Sequence, residues 1–173
     1  IFIGQRGRER SVECSHDRLR EVVVRCAGDR VPGLHRRLAE YGTGPQTFGL
    51  VHADLRLANL LVDGDTITVI DFDDCGFGWY FYDFGTAVSF FEDHPSVPEW
   101  QDAWVSGYRT LRPFAAADED MLASFVLLRR LLLLAWLGTH SHSKESQAIS
   151  VPYAAGSCEL AERYLSSGGH LLA

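Results

Sequence analysis

The sequence predicts an α+β fold, with a short β-hairpin and its flanking polar loops followed by a mostly helical body. Three observations carry that reading. Two β-prone runs, Leu60-Leu61-Val62 and Thr66 to Ile70, flank the turn Asp63-Gly64. A polar cluster of His52, Asp54, Arg56 and Asn59 precedes the first run, and Asp71-Phe72-Asp73-Asp74 follows the second. From Trp79 onward the apolar residues fall into helical patterns.

The elements follow in order. Residues 1–16 mix charge and glycine without periodicity and are left unassigned. Leu19, Val22, Val23 and Cys26 share a helical face, with Ser15 or Asp17 as the N-cap and Gly28 as the stop. Pro32 opens a second short helix with Leu34 and Leu38 on one face and Gly42 at its end. Tyr41 to Gly49 reads as a loop; its glycines do not form a phosphate-binding G-x-G-x-x-G. Thr47 to Val51 is a short strand leading into the polar cluster. Helices are expected over Tyr82–Phe91, Glu99–Leu111 and Met121–Leu137, the last stopped by Gly138. A polar loop, His140 to Ser150, then precedes a final helix from Pro152 to Leu165. The expected organisation is one lobe over 17–165 with a frayed tail over 166–173.

Composition narrows the function classes. The 173 residues are 46% hydrophobic and 12% aromatic, enough for one domain with a real core. A formal charge of −7 argues against nucleic acid or an anionic membrane as partner, and leans toward cationic small molecules. Cys14, Cys26, Cys75 and Cys158 are scattered, which predicts reduced thiols, no zinc site and a cytoplasmic protein. Residues 1–10 lack the apolar run of a signal peptide. The apolar stretch Met121 to Leu137 is broken by Arg129 and Arg130 and is shorter than the roughly 20 residues of a membrane span, so a core helix is expected.

The hairpin gives the polar cluster its meaning. Folding at Asp63-Gly64 returns the chain, which sets Asn59 beside Asp71, with Asp54 one loop upstream. Two carboxylates and a carboxamide at one rim are hard oxygen donors of the kind magnesium takes, a few from protein and the rest from phosphate and water. His52 to Asn59 reads H-x-D-x-x-x-x-N, and Asp71 lies 17 residues after Asp54 at the end of a strand.

That text resembles the catalytic loop and metal-binding Asp of the protein-kinase-like fold. It is closest to the aminoglycoside phosphotransferase family and its choline and homoserine kinase relatives. Those proteins read H-G-D-L-H-x-x-N, then I-D-F-x-D, then Y-D-L. Here the blocks are His52-Ala53-Asp54-Leu55-Arg56-Leu57-Ala58-Asn59, then Ile70-Asp71-Phe72-Asp73-Asp74, then Tyr82-Asp83-Phe84. The resemblance implies the C-terminal lobe of such a kinase, transferring phosphate from ATP to a small-molecule hydroxyl. It implies that Asp54 is the catalytic Asp and that Asn59 and Asp71 hold Mg2+. It further implies that His52 packs behind the loop, that Asp83 accepts hydrogen bonds from loop amides, and that Asp73 lies near the metal.

Each residue has a plainer alternative. Asp54 alone would be a turn residue, Asn59 a strand-entry residue, and Asp71 to Asp74 a solvated acidic turn; the shared spacing favours the site. Asp83-Phe84-Gly85 spells D-F-G, but it runs into a helical pattern 29 residues after Asp54, so Asp71 is the expected metal ligand. A phosphatase reading, with Asp71 as nucleophile and Asp73 as acid, leaves His52 to Asn59 unexplained. Acceptor candidates after Asp83 are Asp93, His94, Trp100, Trp104, Tyr108 and Trp136, although aromatics on helices more often fill the core.

The nucleotide-covering lobe is not legible. Lys144 is the only lysine, and the residues before His52 read mainly as helices. With Ile1 rather than Met at the start, the expectation is a piece of a larger kinase, or a truncated relative that binds nucleotide without turnover.

Overall fold

The computed structural model describes residues 31–140 and 142–169. The segment over 1–16 and the helix expected over Asp17–Cys26 lie outside them. Helix α1 (Val31–Tyr41) buries Leu34 and Leu38 and ends at Gly42, whose φ of 77° allows its N–H to close on the Leu38 carbonyl. Strand β1 (Phe48–Val51) follows a short loop. Strands β2 (Leu60–Asp63) and β3 (Thr66–Val69) form the antiparallel hairpin, in register from Leu60 opposite Val69 to Asp63 opposite Thr66. Gly64, at φ 56°, begins the connection.

Strand β4 (Gly76–Trp79) was not apparent from the sequence, where two of its four residues are glycine. It pairs antiparallel with β1, Phe48 opposite Trp79 and Val51 opposite Gly76. This second pair brackets the hairpin: the chain enters it from β1 and leaves it into β4.

Four helices complete the body. Helix α2 (Tyr82–Ala87) is shorter than the expected Tyr82–Phe91. The chain leaves helical geometry near Phe90 (φ 71°), and Ser89 and Glu92 turn instead toward arginines of α4. Helix α3 (Val97–Arg109) carries Pro98 in its first turn. Helix α4 (Ala116–Thr139) starts earlier than expected because the Asp118 carboxylate accepts the Ala115 N–H at 2.9 Å, and it runs through Gly138. Helix α5 (Lys144–Ser166) replaces the expected polar loop over His140–Ser150: the Ser143 hydroxyl caps it by accepting the Ser146 N–H at 3.0 Å. Pro152 therefore lies inside the helix rather than at its start.

The core joins α2, α4 and α5 through Phe81, Phe84, Leu122, Phe125, Leu160 and Tyr164. Helix α2 rests directly on the α4 backbone: a Cβ at Gly85 would lie 2.6 Å from the Phe125 carbonyl oxygen. Helix α4 is long and apolar enough to cross a membrane by length and composition, but 67% of its most apolar window is buried inside the fold, which makes it the central core helix. Cys75 is an exposed free thiol, whereas Cys158 is disulfide-bonded, so the expectation of four reduced thiols fails there and the compartment argument loses that support.

Candidate active site

The loop after β1 is built around satisfied backbone amides. The N–H groups of His52 and Ala53 donate to Asp83 Oδ2 and Oδ1 at 2.9 and 2.8 Å. The Asp54 N–H donates to His52 Nδ1 at 3.3 Å and the Leu55 N–H to Thr86 Oγ1 at 2.9 Å, while the Arg56 N–H reaches the Asp54 carbonyl at 2.7 Å. Asp83 and Thr86 stand on α2, so the helix seated on Phe125 also fixes the loop. Ala53 has φ 66°, where a Cβ costs on the order of 1 kcal/mol, and these bonds hold it there. Burial raises the Asp83 carboxyl above its ordinary range, and the amides of His52 and Ala53 oppose that shift.

The bonds made by His52 define its role. Its Nδ1 accepts the Asp54 N–H, which leaves Nε2 to carry the proton and donate to the Ile70 carbonyl at 3.0 Å. The buried ring thus ties the loop to the end of β3, with the Phe72 ring 4.7 Å away. It is a brace and not a free base.

Asp54 lies at the bottom of the site, and its side chain is 11% exposed. Asn59 Nδ2 donates to the Asp54 carbonyl at 2.8 Å and to Oδ2 at 3.1 Å. Arg56 Nε straddles the carboxylate, 3.0 Å from Oδ1 and 2.9 Å from Oδ2. Arg129, from the middle of α4, donates to Oδ1 through Nη2 and to Ser89 Oγ through Nε at 3.0 Å. A buried carboxylate needs such partners to stay ionised and in place.

Asp71 and Asp73 stand on the opposite side of the hairpin mouth. The Ile70 N–H donates to the Asn59 carbonyl at 3.0 Å, which brings the backbone of Asp71 beside that of Asn59. Both acids are exposed, and neither makes a hydrogen bond or ion pair among the described residues. Asp71 has φ 65°, a left-handed kink at the strand end. Asn59 keeps its Oδ1 free of hydrogen bonds among the described residues. Among these residues no three His, Cys, Asp or Glu side chains form a group able to hold a metal alone. One carboxamide oxygen and one or two carboxylates suit magnesium, which takes few protein ligands when phosphates supply the others.

Beyond Arg129, its neighbour Arg130 is buried and pairs with Glu92. Arg130 Nε donates to Ser157 Oγ at 2.9 Å, its guanidinium lies 3.8 Å from the centre of the Tyr153 ring, and Tyr153 donates to Glu92 at 3.0 Å. Burial and the Glu92 carboxylate push the Tyr153 hydroxyl far above its ordinary range. This network floors a cavity of about 440 Å³ walled by Phe90, Phe91, Asp93, His94 and Tyr153. Of the acceptor candidates, Asp93 and His94 line this cavity and Trp100 stacks on His94 at 4.9 Å, while Trp104 and Tyr108 pack against the core and Trp136 is half-exposed. Ser89 and Tyr153 do not stand out in the sequence, and Arg129 and Arg130 do so only as a break in an apolar run. The available signal was two adjacent arginines inside an apolar helix, since buried cations require partners.

Fold and site together define a kinase-like C-terminal lobe with a phosphotransferase loop. The chain belongs to the phosphotransferase enzyme family, whose sequence model matches residues 5–119. It is similar to the amicoumacin kinase of Bacillus subtilis (strain 168), 30% identical over 109 residues, which cover 58% of this chain and 32% of that protein. Among solved structures, a microcompartment-associated aminopropanol kinase is 61% identical with a TM-score of 0.74, covering 93% of this chain and 48% of that one. An amicoumacin kinase solved with AMP-PNP, Ca2+ and Ami is 22% identical with a TM-score of 0.62 over 80% of this chain and 44% of the other, a likeness of fold. The chain thus spans about half or less of the relatives it matches.

Proposed function

We propose that the protein carrying this chain transfers the terminal phosphoryl group of ATP to a hydroxyl of a small amino alcohol. The observation that carries the reading is the buried Asp54 carboxylate, held against Asn59 at the mouth of the hairpin that ends in Asp71. The identity of 61% with an aminopropanol kinase over 93% of the chain supports the acceptor class. In the reaction the acceptor oxygen attacks the γ-phosphorus. The P–O bond to the leaving ADP breaks, and Asp54 orients the hydroxyl and receives its proton. Asn59 Oδ1 and the Asp71 carboxylate would hold Mg2+, with Asp73 near it; the ion supplies charge neutralisation on the phosphates.

The cavity beside Arg130 is the acceptor pocket in this reading. Ser89 bonds Arg129, which holds Asp54, and the next residue, Phe90, begins the cavity wall, so the cavity is linked to the base through Arg129 and Ser89. Its aromatic walls suit a compact ammonium group, while Asp93 is paired with Arg163 and lies 3.8 Å from Arg130. Leu50 and Phe77, paired across β1 and β4, and Val62 and Ile67, paired across the hairpin, are exposed at 66%, 80%, 71% and 63%. Exposed apolar pairs of this kind fit cover by the nucleotide and an N-terminal lobe.

Phosphorus NMR of the protein with ATP, Mg2+ and an aminopropanol tests the proposal. A phosphomonoester of the amino alcohol is expected, formed at least about 100-fold more slowly by Asp54→Ala. Equal rates in both proteins would remove the enzyme reading.

A further inference from the structure

The catalytic carboxylate is full. An ionised carboxylate offers about four hydrogen-bond positions, two on each oxygen. Oδ1 of Asp54 takes Arg56 Nε and Arg129 Nη2; Oδ2 takes Arg56 Nε and Asn59 Nδ2. An acceptor hydroxyl that is to donate its proton to Asp54 must therefore displace one of these three donors.

The three are not equally held. Arg129 has a side chain 11% exposed and a second anchor in Ser89. Asn59 is 5% exposed and its Nδ2 is also fixed by the Asp54 carbonyl. Arg56 is the outlier. Its side chain is 36% exposed, a single N–H is shared between both oxygens, and its Nη atoms make no hydrogen bond among the described residues. A shared, partly solvated contact is the weakest of the set and releases a flexible, solvent-facing side chain.

We infer that Arg56 is a displaceable plug on Asp54, a positioning residue that the acceptor hydroxyl must replace to bind productively. The inference rests on the proposed phosphotransferase reading. Its consequence is selectivity: a ligand with a correctly placed hydroxyl restores the hydrogen bond that it breaks, whereas an amine without one leaves the plug seated. Exchange of one donor for another also leaves Asp54 bonded throughout, so the buried carboxylate never stands unpaired.

The test compares binding of an aminopropanol with that of propylamine, its analogue lacking the hydroxyl. Isothermal titration of the nucleotide-loaded protein is run for wild type and for Arg56→Met, which keeps the chain length and removes the donors. Arg56→Met is expected to tighten the aminopropanol about three- to tenfold and to leave propylamine unchanged, the scale of one partly exposed ion pair. Equal tightening of both ligands, or of neither, overturns the plug. Failure of the wild type to bind either ligand would instead count against the proposed function. Arg56→Lys adds a check: a lysine that still reaches Asp54 should return the aminopropanol affinity toward wild type, and tightening equal to that of Arg56→Met would count against the plug.

Discussion

Arg129→Met tests how α4 holds the loop that carries Asp54. Arg129 bonds Asp54, 75 residues away in sequence, and Ser89, 40 residues away, so it ties the loop after β1 to α4 and to the turn after α2. Both side chains of the ion pair are 11% exposed, so solvent screens the pair little. Removing one partner of a buried pair costs roughly 3–5 kcal/mol when the other is left unpaired. Asp54 keeps Arg56 and Asn59, which reduces the loss to about 1.5–3 kcal/mol, the scale of one hydrogen bond to a charged group. For a chain of this size that corresponds to a fall in Tm of roughly 3–10 °C. Urea denaturation of Arg129→Met, Asp54→Asn and the double variant forms the cycle. A coupling of at least about 1 kcal/mol is expected. A coupling within about 0.3 kcal/mol of zero, the spread of independent sites, would refute the claim that α4 holds the loop through this pair.

Two further predictions concern α2. Gly85→Ala sets a Cβ 2.6 Å from the Phe125 carbonyl oxygen and 2.8 Å from its carbon, backbone that cannot rotate away. A loss of about 3 kcal/mol is expected in urea denaturation, and an unchanged midpoint would show that α2 and α4 separate freely. Asp83 gives a pH signature. Its carboxyl is raised in the folded state by burial, so its contribution to stability is fully present below the unfolded Asp value of about 3.9 and is lost as pH rises through the higher folded value. Asp83→Asn removes that segment of the pH–stability curve and leaves one loop amide without an acceptor. The variant should be less stable than wild type at every pH, with the gap narrowing as pH rises from 4 toward neutrality; a constant gap would contradict the sign.

The parts of the fold written locally in sequence were legible. Gly42 and Asp63-Gly64 announce a helix end and a hairpin, and both occur where φ is positive. The spacing of Asp54, Asn59 and Asp71 pointed to a shared rim because a two-stranded hairpin converts sequence distance into adjacency. Strand β4 was missed because Gly76-Phe77-Gly78-Trp79 has little strand character of its own and exists by pairing with β1, 25 or more positions earlier. Helix α2 ends early because Ser89 and Glu92 serve Arg129 and Arg130, contacts 40 and 38 residues away. Helix α5 begins in a polar stretch that reads as loop, because the Ser143 hydroxyl caps it and Pro152 is accommodated inside it. The arginine pair was read as a bar to membrane insertion, when its stronger meaning is two buried cations that need carboxylates: Asp54 for one and Glu92 for the other.

A crystal structure of the protein with Mg2+ and a non-hydrolysable ATP analogue tests most directly whether Asp54, Asn59 and Asp71 form one phosphoryl-transfer site. The expected result is metal on Asn59 Oδ1 and the Asp71 carboxylate, with the terminal phosphate facing Asp54. Metal and phosphates bound elsewhere, with Asn59 and Asp71 left in solvent, would contradict it.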